Sequence, residues 1–577
     1  MILILSKYLI NHLVWETPMK KLSLDAIRKN IIGNDILIDT PFGKRHMLYA
    51  DYTASGRGLG LIEEQLQNIL KSYANTHTED DYSGQYLTTL LHQAEEKIKD
   101  IVNAKEHDKI ILTGSGATGA LKKLQEIIGV YIPPATKKRL EDHILSSKNL
   151  EKLHKKINQN QPVVFIGPYE HHTNELMWRE ALVEVQVIPF DENGMINLKI
   201  LNKKLNDSKY KNRVKYASFS AGSNVTGIRT NVYDIARICH QNDTFVFFDF
   251  AAVAPYIKIN MNKDETAYFD AIFFSPHKFL GGPATSGVLI FNEKLYQNNL
   301  PPTCAAGGTV RYVGFNHQIY SDDIETREKA GTPPIIQAIK AALVLEAKEN
   351  LGIDTIEKKE QEYGSYVLQK LKANKDIILM GDIPAEHRVS IISFNIKHDD
   401  RLLHSRFVTT LLNDLFGIQS RAGCSCAGPY GHVLLGIDEE NAEQCSELII
   451  QNYEGIKQGW VRINIHYTLS KEDVDYILEA IDFITQYGYL FLHFYSFNIK
   501  TGNWNHINYK KQKPNLCIHA DFNPQHIDLS MLSSLRDSYF NEAIKQVEEL
   551  KRKKTKPYIV DCEEIEQIKK FYYHNKA

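Results

Sequence analysis

Between about residue 46 and residue 300, short apolar runs alternate with amphipathic helical stretches, and no other feature of this 577-residue chain constrains its fold as tightly. The runs are Lys109–Leu112, Val163–Ile166, Glu184–Ile188, Lys215–Phe219, Phe245–Phe248, Ala271–Phe274 and Gly287–Ile290. Parallel strands need a crossover to bring the chain back, usually a helix, so this pattern predicts an α/β unit with a mainly parallel seven-stranded sheet over 46–310. Ligands of such sheets sit at the carboxyl ends of the strands. Near residue 335 the period changes to a long helix followed by helices and a few strands, which predicts a smaller α+β domain over 335–488. Residues 1–45 are expected to pack on that smaller domain, and the polar stretch 131–160, with Lys137, Lys138, Arg139, Lys148, Lys152, Lys155 and Lys156, reads as a surface insertion. Residues 489–577 form a C-terminal extension with one clear helix near Asp537–Lys551 and no catalytic signature.

A net charge of −2, with no basic stripe interleaved with aromatics, gives no motive for nucleic-acid binding. The apolar start Met1–Leu5 is broken early by Lys7, Asn11 and His12 and is read as the beginning of a strand or helix. No other apolar stretch reaches the ~18 residues a membrane helix needs, so a soluble protein is expected. The seven cysteines (Cys239, Cys304, Cys424, Cys426, Cys445, Cys517, Cys562) are odd in number and mostly isolated, unlike a disulfide framework. A reducing cytoplasm fits this usage.

The chemistry-bearing residues fall at predicted strand ends. Ser275, His277 and Lys278 lie on a turn leaving Ala271–Phe274, where an amine beside a histidine and a serine can bond pyridoxal phosphate while its neighbours reach the phosphate. A lysine there also reads as an ordinary solvated charge. Thr113–Gly119 is a Gly-rich turn between a strand and a helix, so Ala117 and Thr118 at the helix start offer donors to a phosphate; a plain tight turn is the other reading. Asp249 ends an apolar run, where a half-buried carboxylate needs a cation such as a protonated pyridine nitrogen, or serves as a cap or ion-pair member. His171, in Glu170–Asn174, can lie flat on a ring and move protons. Adjacent His171 and His172 point to opposite faces of an extended segment, and no cysteine or carboxylate shows matching spacing, so no metal is predicted. Asn224 follows another strand and can bond a ring oxygen or simply shape a turn. The segments around Gly307–Thr309 and Gly331–Pro333 read as loops closing over the site.

Taken in chain order (the Gly-rich turn Thr113–Gly119, His171, Asn224, Asp249 and Lys278), the segments resemble a class V aminotransferase-fold enzyme, that is a pyridoxal-phosphate-dependent transferase of fold type I, and are most similar to the cysteine desulfurase and selenocysteine lyase branch. The resemblance runs from Leu48–Tyr52 to about Leu478. It implies that Ala117, Thr118, Ser275 and His277 hold the phosphate, His171 stacks on the ring, Asn224 meets the ring oxygen, Asp249 pairs with the pyridinium and Lys278 bonds the cofactor. It also implies a homodimer in which Thr309 contributes a phosphate contact to the neighbouring site, an amino-acid substrate and a protein that accepts sulfur. Arg421–Ala427 matches the branch's Arg-x-Gly-x-x-Cys-Ala loop, which puts Cys426 in the place of the persulfide-forming nucleophile near Arg421. Cys424 and Cys426 also read as plain loop thiols or as half of a metal or redox pair. Arg462 corresponds to the arginine that clamps an amino-acid carboxylate, a guanidinium fork matching two carboxylate oxygens, unless it forms a surface ion pair.

The resemblance implies removal of sulfur from L-cysteine to give alanine and an enzyme persulfide. One departure bears on the substrate: where desulfurases usually read Asp-x-Ala-Gln, the chain has Asp249–Ala252, so a side-chain amide facing the cofactor is missing. The extra Cys424 is a second departure. The rival expectations are a selenocysteine or other C–S lyase, an aminotransferase or epimerase acting on another amino acid, and an inactive scaffold that binds a protein partner.

Overall fold

The seven apolar runs form strands in the computed structural model, which describes residues 21–76, 78, 80–144, 152, 156, 160–511, 513–518, 524–553, 556–557, 571–572 and 574–575. In chain order they are β1 (Asp108–Thr113), followed by helix α1 (Ala117–Ile127), then β2 (Val163–Ile166), helix α2 (His172–Arg179), β3 (Glu184–Val187), β4 (Lys215–Ser220), β5 (Thr244–Asp249), β6 (Ala271–Phe274) and β7 (Gly287–Asn292). Their sheet order is β1-β7-β6-β5-β4-β2-β3. The run from β3 to β6 is parallel, while β7 lies antiparallel to both β6 and β1. The expected α/β architecture with a mainly parallel sheet is therefore present.

Side-chain alternation splits the strands between two apolar layers. Phe165, Phe219, Phe248 and Phe274 face one layer, and Phe247, Phe273, Leu289 and Trp178 face the other. β2, β6 and β7 are buried along their whole length, which is why they appear in the sequence as unbroken apolar runs.

Beyond helix α3 (Ile335–Leu351) a smaller sheet is built from β8 (Ile391–His398), β9 (Arg401–Leu403), β10 (Arg421–Gly423) and β11 (Trp460–Asn464), with α4 (Ser405–Phe416) and α6 (Lys471–Tyr487) packed on it. Helix α5 (Gly428–Leu435) follows β10 directly. Ser470 and Asp473 form a reciprocal capping box that starts α6.

The N-terminal residues divide: Ile27 and Ile31 are buried in the large sheet's core, while residues 36–46 meet the smaller sheet's layer and the C-terminal extension. Arg28 donates to the carbonyls of Thr468 and Leu469, and Thr40 Oγ1 donates to Asp414 O at 2.8 Å. The extension forms a hairpin (Tyr495–Asn498 with Asn503–His506) and helix α7 (Leu532–Leu550). Gln525–His526 pairs with Ile36–Leu37, and Phe571–Tyr572 adds in parallel to Leu402–Leu403. Arg45 is bonded to Glu542 at 2.8 Å, and the His46 N–H donates to the Tyr539 hydroxyl. Of the stretch 131–160, Pro134–Arg139 is an exposed helix; Lys148 and Lys155 lie outside the described residues, as do Met1–Leu5 and Cys562. Among the described residues no helix is long and apolar enough to cross a membrane.

Candidate active site

At the carboxyl end of the large sheet a cavity of about 260 Å³ is lined by residues from five of its strand ends. Eight residues singled out in the sequence line it: Ala117, Thr118, His171, Asn224, Asp249, Ser275, His277 and Lys278. The topology does this because each residue lies just past a strand of the same sheet.

One wall is a donor-rich cradle. The N–H of Ala117, at the first turn of α1, donates to Ser275 Oγ at 2.8 Å, and Thr118 Oγ1 shares a hydrogen bond with Thr173 Oγ1, also at 2.8 Å. A Cβ added to Gly116 would lie 2.9 Å from Ser275 Oγ and 3.5 Å from the His277 ring, so glycine keeps the cradle open. A helix N-terminus with three hydroxyls and no carboxylate among these contacts suits a phosphate.

The opposite side carries the titratable groups. Asp249 is 5% exposed and accepts one hydrogen bond, from the Ala251 N–H at 2.8 Å. Burial pushes its carboxyl up to about 6, against the pull of Ala251 and Lys278. The Lys278 amine has no hydrogen-bond or ion-pair partner among the described residues, and loss of solvent lowers it to about 8 although Asp249 opposes this. Burial together with the Lys278 charge lowers His171 to about 3. Its Nδ1 accepts from the Thr173 N–H at 3.1 Å, so the neutral ring carries its proton on Nε2. Burial lowers His277 to about 4, and its Nδ1 lies 3.3 Å from Ser55 Oγ.

The turn bearing Lys278 is held by close backbone packing. Gly56 donates its N–H to His277 O at 2.8 Å, and a Cβ there would fall 1.8 Å from Phe279 O. Gly56→Ala is therefore expected to push the turn outward, costing about 1–3 kcal/mol of stability in urea unfolding and weakening whatever ligand Lys278 holds.

The structure places the remaining candidates around the cavity rather than in its lining. Arg462 is 3% exposed; it donates to Asn224 O at 3.1 Å and to Asp51 Oδ1 at 2.9 Å, while its buried Nε has no partner. It is a buried ion pair, not a surface one. Cys426 lies on the loop after β10, half-buried, and Arg421 is exposed at the start of that strand; with Arg462 they act on Lys278 through their charges. Asn224 donates from Nδ2 to Ser425 O at 2.6 Å, which ties this loop to the cavity wall. Thr309 does not line the cavity of its own chain: it is fully buried, and its hydroxyl donates to Ala306 O at 2.7 Å. Cys424 and Cys426 are unpaired thiols, and no group of three His, Cys, Asp or Glu side chains is placed to hold a metal among the described residues.

Ser115, Thr173 and Ala251, inside segments named above but given no role there, also line the cavity, as do Ser220 and Gly222, which no motif pointed to. Ser220 ends β4, so its position at a strand's carboxyl end was the available signal. Glu170 supports the site from behind. Its Oε1 accepts from Gly167 N–H at 3.0 Å, and its Oε2 accepts from Asn174 Nδ2 at 2.7 Å and Ser220 Oγ at 2.6 Å. Burial still raises it to about 7. This network fixes β2, β4 and the start of α2 relative to one another, one residue from His171.

The aminotransferase class-V family model matches residues 150–477. A probable cysteine desulfurase of Staphylococcus aureus is 28% identical over 407 residues, covering 69% of this chain and 88% of its own length. Another, of Halalkalibacterium halodurans, is 25% identical over 398 residues, covering 68% and 87%. Among solved structures, a cysteine desulfurase from Thermococcus onnurineus shares the fold with a TM-score of 0.62 at 22% identity, over 80% of this chain and 98% of that one. One from Escherichia coli gives 0.59 at 19% identity, over 80% and 98%.

Proposed function

The chain belongs to the aminotransferase class-V family, and from that premise we propose that it is a pyridoxal-phosphate enzyme that removes sulfur from L-cysteine, leaving alanine and a persulfide on Cys426. The donor set fits the cofactor. Ala117, Thr118, Ser275 and His277 would hold its phosphate, Asp249 its ring nitrogen and Lys278 its aldehyde carbon, while His171 would cover the ring and Asn224 face the ring oxygen. Bound there, pyridoxal phosphate supplies an electron sink that weakens the bonds at the substrate's α-carbon.

The chain's own groups supply the rest. Lys278, with its amine lowered to about 8, can accept and return a proton near neutral pH. His171 stays neutral and offers only its Nε2 proton. Arg462 would orient the substrate carboxylate with its guanidinium, whose Nη1 and Nη2 are held by Asn224 O and Asp51 Oδ1 and whose Nε is unpartnered. The Cys426 thiolate forms an S–S bond to the substrate sulfur, the C–S bond breaks with its electron pair left on carbon, and a proton taken up there completes alanine.

The observation that carries the sulfur step is the Asn224–Ser425 hydrogen bond, which joins the Cys426 loop to the cavity containing Lys278. A homodimer, a protein sulfur acceptor and a cytoplasmic location belong to the same proposal, as does a division into a large unit (46–310), a small one (335–488) and an extension (489–577). A second reading, chemistry on another amino acid without Cys426, is favoured by Ala252, which lines the cavity where an amide would otherwise face it. Cys426→Ala decides between them. It is expected to keep the cofactor's absorbance and to lose alanine formation from L-cysteine; retained desulfuration would overturn the sulfur role.

A further inference from the structure

The loop bearing Cys426 does not hold its own shape. Ser425 and Cys426 both have positive φ, 51° and 58°, a left-handed conformation that costs a residue with a side chain about 1–2 kcal/mol. Within the loop, the Ala427 N–H donates to Cys424 O at 3.1 Å. The Gly431 N–H of the helix that follows donates to Ala427 O at 2.8 Å, and of the restraints that come from the large sheet's side two converge on one residue.

The backbone N–H of His172 donates to Cys426 O at 2.8 Å, and the Gly428 N–H donates to His172 Nε2 at 2.9 Å. His172 thus grips the loop at the reactive residue itself and two residues beyond it. A Cβ added to Gly428 would lie 3.1 Å from His172 Nε2, closer than side chains normally pack, so the glycine makes the short contact available. The grip requires a neutral ring with its proton on Nδ1, the reverse of the tautomer in His171 next to it. The adjacent histidines divide the work: one faces the cavity, the other the loop.

We propose that His172 is a positioning residue for the sulfur-accepting thiol, holding Cys426 in its left-handed conformation through the Cys426 carbonyl on one side and the Gly428 amide on the other. The proposal rests on the reading that Cys426 receives sulfur. Displacing a reacting atom by about 1 Å costs on the order of a hundredfold in rate, which sets the size of the effect.

The test uses the full-length, cofactor-loaded protein and three variants. His172→Leu removes the acceptor, His172→Gln supplies an amide oxygen in its place, and Gly428→Ala crowds the contact while leaving His172 intact. For His172→Leu, kcat for alanine formation from L-cysteine is expected to fall about a hundredfold with the cofactor absorbance unchanged. The rate of iodoacetamide labelling of Cys426, followed by mass spectrometry of its peptide, is expected to rise several-fold. His172→Gln should recover most of both, and Gly428→Ala should raise labelling without any change at His172. Equal impairment of the Leu and Gln variants would overturn the proposal, as would a Leu variant with wild-type labelling and kcat. Cys426→Ala, measured alongside, separates the two ideas. If it desulfurates normally, the sulfur role falls and takes this proposal with it; if it is inactive while the Leu variant is unimpaired, only the positioning role falls.

Discussion

Replacing Lys278 with alanine is expected to abolish the bound-cofactor absorbance shift and to lower kcat for alanine formation by ~10³-fold or more, with no loss of fold. Among the described residues the amine is the only lysine lining the cavity, and it makes no hydrogen bond or ion pair whose loss would break a packing contact. Its removal also takes away a like charge that lowers His171 and an opposite charge that stabilises ionised Asp249. In the cofactor-free variant the His171 ring should therefore titrate at a higher pH than in the wild type, which NMR of the imidazole resonances can follow. A Lys278→Ala protein with normal turnover would remove the proposed chemistry altogether.

Asp249→Asn is expected to divide stability from function. In the folded chain the carboxyl titrates at about 6, above its ordinary 3.8, because burial outweighs its hydrogen bond and the Lys278 charge. The neutral form is the favoured one. This group's contribution is fully present below the unfolded pKa and is lost as pH rises through about 6, a loss on the order of 3 kcal/mol. At pH ~8 the cofactor-free Asn variant, which keeps the acceptor for the Ala251 N–H, should therefore be more stable than the wild type by about 2–3 kcal/mol in urea unfolding. Near pH ~4 the two should converge. Turnover should fall by about 10²–10³-fold, the range seen when one preorganised electrostatic group is lost. A variant less stable than the wild type at both pH values would show that Asp249 is an ordinary structural carboxylate.

The large sheet was legible because β2, β6 and β7 are buried on both faces and so read as uninterrupted apolar runs. The eight cavity residues were legible because their types match their positions: a carboxylate, an amine and hydroxyls at strand ends. What could not be read was anything defined by a distant partner. Arg462 meets Asp51 across 411 positions, and Asn224 meets Ser425 across 201, so neither the buried pair nor the loop tether leaves a local mark. Glu170 and His172 were visible only as neighbours of His171, since their roles lie in what they bond. The strand Phe571–Tyr572 was missed for the same reason, its pairing with Leu402–Leu403 being invisible in so short and aromatic a segment.

The place of β7 in the sheet also fixes an order of events during synthesis. Among the described residues β1 is joined to the sheet only through β7, although more than a hundred and seventy residues separate Thr113 from Gly287. At a translation rate of ~5–20 residues per second, the earliest strand of the sheet waits on the order of ten to thirty seconds for its only neighbour to emerge. During that interval β1 presents both edges unpaired, with only the helix that directly follows it, α1, able to cover Ile111. The Gly-rich turn and α1 follow directly from β1, so the phosphate cradle cannot meet Ser275 until β7 is in place. A nascent chain stalled before Gly287 should be unable to retain pyridoxal phosphate, however complete the parallel half of its sheet.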